Sequence, residues 1–136
     1  MTNQSANQNF FKSVSIAAST ATLLLAGCQP SNVASVTPSE AAKMFSEQKA
    51  IIVDVREYSE WKEGHIAGAI HIPLAQVESR LSELAKFKDS NVVVQCRSGK
   101  RSEKAAGLLQ SAGFDKVYSL AGGIIAWDKD GLKTTK

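Results

Sequence analysis

Apolar positions along this chain follow two rhythms, short β-branched runs and stripes at helical spacing, and the two alternate. Residues 51–55 (Ile-Ile-Val-Asp-Val) form a compact run of the kind that fills a strand buried on both faces. Residues 69–72 (Ala-Ile-His-Ile) give a shorter one, ended by Pro73. Residues 91–95 (Asn-Val-Val-Val-Gln) carry the strongest strand pattern, and residues 117–120 the last. Between them lie helical signals. Thr37, followed by Pro38 and then Glu40, has the chemistry of a capped helix start and predicts a helix over 38–46, with Ala41, Ala42 and Phe45 inward. Residues 58–62 predict a short helix stopped at Gly64, and Leu74, Val77, Leu81 and Leu84 make an apolar stripe. Residues 101–112 repeat the helical pattern through Ala105, Leu108, Leu109 and Ala112, with Gly113 as a stop, and 124–128 form a last short helix. Strands alternating with helices predict an α/β fold, a parallel sheet covered on both faces. In such sheets, binding sites lie beyond the carboxyl ends of the strands.

The first 27 residues break this pattern. They carry one charged side chain, Lys12, followed by an apolar and small-residue stretch over 13–27 that is too short for a spanning helix and suits a signal-peptide core. Leu25-Ala26-Gly27-Cys28 resembles a bacterial lipoprotein processing box, in which cleavage leaves Cys28 as an acylated first residue. That resemblance implies a chain exported to the periplasmic side and anchored to a membrane by lipid. Gln29 in the next position, where Asp would signal inner-membrane retention, favours the outer membrane. The expected organisation is a signal peptide over 1–27, a small polar tether over 28–36, one domain over 37–130 and a solvated tail over 131–136.

Composition narrows the function classes. With 16 basic and 13 acidic residues in 136, the net charge of +3 is too even for a dedicated nucleic-acid binder, and no nucleic-acid partner is expected. Two cysteines and two histidines are poor material for a zinc site, and no metal or cofactor is implied. His65 and His71 are badly spaced for a shared metal and are expected to hydrogen-bond locally. With Cys28 acylated, Cys96 has no disulfide partner, and an unpaired thiol in an exported protein is either reactive or inert and buried.

Position favours reactivity. Cys96 follows the strongest strand, at its carboxyl end, and opens the loop Cys96-Arg97-Ser98-Gly99-Lys100-Arg101. A strand-to-helix loop of this kind converges backbone N–H groups into an anion cradle, assisted by the helix dipole. Gly99 permits the tight curvature. Arg97, Lys100 and Arg101 add positive charge with no acid before Glu103. A thiol in that field ionises more readily than a free cysteine, and the thiolate is the nucleophile. The alternative is a small cysteine capping a buried strand among solvated charges.

Three motifs in order now carry a resemblance. Cys96-Arg-Ser-Gly-Lys-Arg-Ser102 is similar to the active loop of the rhodanese-like sulfurtransferases. Upstream, Val53-Asp-Val-Arg-Glu57, Glu60-Trp61 and the segment from Gly64 to Pro73 resemble a second family motif; downstream, Leu120-Ala-Gly-Gly-Ile-Ile-Ala-Trp127 resembles a third. The resemblance implies a rhodanese-like fold, a five-stranded, largely parallel sheet with helices on both faces. It also implies transfer of sulfane sulfur from a small anionic donor such as thiosulfate to a thiol or cyanide acceptor. Cys96 would be the catalytic persulfide carrier, with Arg97, Ser98, Gly99, Lys100, Arg101 and Ser102 binding substrate.

Two other readings stay open: a non-catalytic binding or thiol-redox module on the same fold, and a phosphatase or arsenate reductase. The latter classes resemble this loop but run one residue longer, with Arg six positions after Cys, where this chain has Ser102. Asp54 and Arg56 are expected to form a structural ion pair, Trp61 and Trp127 to pack beneath the loops, and Gly122-Gly123 to make a tight turn near the active loop.

Overall fold

The structure is a computed structural model and describes residues 32–136. The expected signal peptide and Cys28 lie outside the described residues. In order, the elements are β1 (Ala34–Val36), α1 (Pro38–Ser46), β2 (Ala50–Asp54), α2 (Tyr58–Glu63) and β3 (Ile70–His71). Then come α3 (Leu81–Leu84) between short 3-10 turns, β4 (Asn91–Gln95), α4 (Lys100–Ser111), β5 (Val117–Leu120) and α5 (Gly123–Lys129). The strands form one sheet in the order β1-β5-β4-β2-β3, every pairing parallel, with helices on both faces.

The central strand explains the two-layer core. Val92, Val93 and Val94 are wholly buried because β4 is covered on both faces, as a continuous apolar run in a parallel sheet requires. Val92, Val94 and Cys96 point into one layer with Ala105, Ala106 and Leu109 of α4, Leu84 of α3 and Phe114. Val93 points into the other with Ala41 of α1, Ile52 of β2 and Ile124 and Trp127 of α5. The alternation therefore places Cys96, one step past the strand, on the α4 side.

The local signals at α1 are realised. Thr37 Oγ1 accepts the Glu40 N–H, the Glu40 carboxylate accepts the Thr37 N–H, and Pro38 occupies the first helical position. Ala41 is buried and Ala42 and Phe45 are half-buried.

Three expectations need correction. The tether does not extend to residue 36, since Ala34–Val36 pairs in parallel with Tyr118–Leu120 and adds the fifth strand at the sheet edge. Three small residues carry no periodic signal; the strand exists because β5 offers it an edge. The stripe from Leu74 to Leu84 is not one helix but 3-10 turns at Leu74–Gln76 and Glu78–Arg80, followed by α3. Spacings of three and four residues serve both geometries. The 131–136 tail is exposed in its side chains except Leu132, which packs half-buried against the core, and its backbone is tied down. The His65 and Thr135 backbones exchange two hydrogen bonds of 2.8 Å, and the Trp127 indole donates to the Lys133 carbonyl at 3.1 Å.

Candidate active site

The loop from Cys96 to Gly99 links β4 to α4, and its shape is set from both sides. Two backbone N–H groups at the start of α5 hold its outer carbonyls: Ile124 N–H donates to Cys96 O at 2.8 Å and Ile125 N–H to Arg97 O at 3.3 Å. A Cβ on Gly123 would collide with both carbonyls, and its φ of +59° lies in the left-handed region, so the close approach needs glycine. Gly99, at φ +120°, makes the final bend into α4. With the carbonyls engaged outward, the amides that follow turn inward.

They turn onto sulfur. The Gly99 N–H donates to Cys96 Sγ at 3.1 Å, and Sγ lies 3.6 Å from the Ser102 hydroxyl, to which the thiol donates. Cys96 is only 1% exposed, so burial alone would push its thiol up. Hydrogen bonding from the Ser102 side chain and from the Ser102, Gly99 and Ser98 backbone outweighs burial and holds the thiol below its ordinary value. The sulfur is buried, yet it is surrounded by donors and sits at the N-terminal end of a twelve-residue helix. That combination offsets the cost of burying the anion.

The loop cations divide into two kinds. Arg101 is clamped by Glu60 of α2 through two bonds, Nη1 to Oε2 at 2.7 Å and Nη2 to Oε1 at 2.8 Å. Glu60 also accepts the Glu57 N–H at 3.0 Å, and the Arg101 guanidinium holds its carboxyl down at about 2. Arg101 is thus a strut between α4 and α2 as much as a cation of the loop. Arg97, Ser98 and Lys100 are exposed, and neither Arg97 nor Lys100 forms a salt bridge among the described residues. A cleft beside the loop is lined by Arg97, Ile125, Asp128, Glu63 and Thr134.

Beneath the loop, Asp54 and Arg56 pair through Oδ2 and Nη2 at 2.7 Å, at 0% and 5% exposure. Gln95 Nε2 donates to Asp54 Oδ2 at 2.7 Å, and Arg56 Nη2 donates to Gly64 O at 2.8 Å. This buried pair ties the ends of β2 and β4 to the chain after α2, the structural role expected of it. Trp61 is sandwiched between imidazoles, with ring centroids 3.7 Å from His65 and 4.7 Å from His71. His65 Nδ1 lies 3.0 Å from Trp61 O and His71 Nε2 lies 2.8 Å from Arg56 O, so both histidines bond locally. Trp127, on the inner face of α5, is buried in the core.

Two functional neighbours escaped the sequence. Glu60 stands inside a recognised motif, but its partner is 41 residues away. Ser119 lies 2.7 Å from the Ser102 hydroxyl, 17 residues away, inside a strand where it reads as an ordinary polar position.

A single cysteine held by a loop amide at the carboxyl end of a parallel strand defines an α/β protein with a cradled thiol. Residues 37–130 match the model of the rhodanese-like domain, and the chain belongs to that family. It is 39% identical over 90 residues to "Thiosulfate sulfurtransferase GlpE" of Pseudomonas fluorescens, covering 66% of this chain and 81% of that protein. It is 40% identical over 85 residues to "Putative sulfur carrier protein YrkF" of Bacillus subtilis, covering 62% of this chain and 45% of that one, so it spans under half of that relative's length. Among solved structures, it is similar to the thiosulfate sulfurtransferase of Pseudomonas aeruginosa, with TM-score 0.69, 28% identity and coverage of 76% of this chain and 20% of that one.

Proposed function

We propose that this protein transfers sulfane sulfur from thiosulfate, or a similar small anionic donor, to a thiophilic acceptor through a persulfide on Cys96. The observation that carries this reading is the Gly99 N–H donating to a sulfur whose ionisation the loop favours. In the first half-reaction the Cys96 thiolate attacks the outer sulfur of thiosulfate. A new S–S bond forms, the old one breaks, and sulfite leaves with its electron pair. In the second, cyanide or a thiolate takes the terminal sulfur and Cys96 is released as thiolate. Each intermediate keeps one negative charge at the cradle, where the Ser98, Gly99 and Ser102 amides act as preorganised donors. Arg97 and Lys100, exposed at the rim, attract the donor dianion, and Gly99 and the Arg101 strut keep the cradle in shape. No separate base is needed once the thiolate is formed.

Mass spectrometry after incubation with thiosulfate tests this. One added sulfur is expected on the peptide carrying Cys96, lost on addition of cyanide and absent from Cys96→Ala. A wild-type protein that acquires no sulfur and releases no sulfite overturns the reading.

The likeness of Leu25-Ala26-Gly27-Cys28 to a lipoprotein box supports a second part of the proposal: export, acylation of Cys28 and attachment to a membrane from the periplasmic side, the outer membrane favoured by Gln29. Fractionation of expressing bacteria should find the wild type in membranes and Cys28→Ala released from them. Equal distribution of the two would remove the anchor.

A further inference from the structure

Ser119 lies in β5 at 2% exposure, and its hydroxyl has one hydrogen-bond partner among the described residues, the Ser102 hydroxyl at 2.7 Å. Its register partner is Val94, whose side chain lies in the α4 layer, so Ser119 stands behind the thiol cradle. Burying a hydroxyl is unfavourable unless it is bonded, and here that bond is to a residue touching the reactive sulfur.

Ser102 stands at a three-way junction. Its Oγ donates to Gly99 O at 2.8 Å, faces Ser119 Oγ at 2.7 Å and faces Cys96 Sγ at 3.6 Å. A hydroxyl has one proton and two lone pairs. With Cys96 protonated, every group is satisfied: Ser102 donates to Gly99 O and accepts from the thiol and from Ser119. When Cys96 ionises, its proton passes to solvent and sulfur becomes an acceptor only. The Ser102 O–H is then the side-chain donor at hand, and it must swing from Gly99 O to sulfur. Throughout that swing Ser119 keeps donating to the Ser102 oxygen, which polarises the Ser102 O–H and strengthens it as a donor.

We propose that Ser119 is a positioning residue of the sulfur-transfer site, whose hydroxyl acts through Ser102 to orient and strengthen the proton that stabilises the Cys96 thiolate. The inference rests on Cys96 acting as the nucleophile proposed above. The charged groups on the surrounding elements are Arg97, Lys100 and Arg101 of the loop and α4, the buried Asp54–Arg56 pair beneath the loop, Glu57, Glu60 and Glu63 at α2, and Asp128 of α5. None is altered by a change at Ser119.

The test is the rate of iodoacetamide alkylation of Cys96 as a function of pH in the full chain, a readout that requires no turnover. Ser119→Ala should move the profile to higher pH, with alkylation about fivefold slower on its acid side and an unchanged alkaline plateau. Ser119→Thr, which keeps the hydroxyl, should restore the wild-type profile. In a Ser102→Ala background, Ser119→Ala should change nothing further, because its effect passes through Ser102. That background comparison decides the matter even if the threonine variant fails to fold. A folded Ser119→Ala whose profile superimposes on the wild type overturns the proposal, as does an equal effect of Ser119→Ala with and without Ser102. If the wild type accepts no sulfur from thiosulfate yet Ser119→Ala still shifts alkylation, the relay stands and the sulfurtransferase reading falls.

Discussion

At Cys96 two opposing effects act on one sulfur. Burial favours the neutral thiol, and hydrogen bonding from the loop amides and Ser102 favours the anion; together these bonds outweigh burial. Glu60 is a half-buried carboxyl held ionised chiefly by the Arg101 guanidinium, with help from the Glu57 N–H and the charge of Arg56. Its value in the folded protein, about 2, lies below the ordinary 4.5. A depressed carboxyl contributes stability that is complete above 4.5 and is lost as pH falls towards about 2. Solvent screening of this partly exposed pair limits the contribution to about 1 kcal/mol. Glu60→Gln should therefore weaken the protein at neutral pH and narrow its gap to the wild type as the medium is acidified. Urea midpoints across that range are the measurement, and parallel curves for the two proteins would refute the pairing. The cysteine and its loop were legible in the sequence because their residues are contiguous. Arg101 was expected to serve the substrate, and its clamp to Glu60 was invisible because 41 residues separate the partners.

Among the elements, two glycines that look alike in sequence have opposite physics. Gly123 opens α5 at φ +59°, pressed against the Cys96 and Arg97 carbonyls. Gly107 lies inside α4 with open space where a Cβ would point. Gly123→Ala should lower stability by about 1–3 kcal/mol through backbone strain and collision, and should cost sulfur transfer because the loop carbonyls lose their clamp. Gly107→Ala should instead raise stability by roughly 0.5–1 kcal/mol, since alanine is the better helix former, and leave transfer intact. Thermal melts with a sulfite assay check both; the same sign for the pair would contradict the structure. The sequence placed a tight turn at Gly122-Gly123 but had no means to show what it presses upon. It was reliable for α1 and β4, where a cap or a dense β-branched run determines the local conformation. It failed at Leu74–Leu84, where the apolar spacing suits either helical geometry, and at β1, where three small residues carry almost no signal.

For the molecule as a whole, the edges of the sheet are the least predictable feature. β1 contributes little burial of its own, and its side chains are mostly exposed. Its backbone nevertheless covers β5 from Tyr118 to Leu120. A chain beginning at Thr37 should leave that edge unpaired, melt at lower temperature and associate more readily than one beginning at Asn32, since an open parallel edge is a template for another strand. Calorimetry and sedimentation would check this, and indistinguishable melting and monomer content would show β1 to be dispensable. Alternating strands and helices, the parallel character of the sheet, the place of Cys96 after β4 and the loop that bends around it follow from the sequence alone. Each depends on periodicity or on neighbours within a few residues, where propensity and steric limits suffice. The order of the strands, the Glu60 clamp, the grip of α5 on the loop carbonyls and the hydroxyl behind the sulfur were decided by the tertiary structure. Those contacts join residues far apart in the chain, and only the packing of helices onto both faces of the sheet brings them within bonding distance.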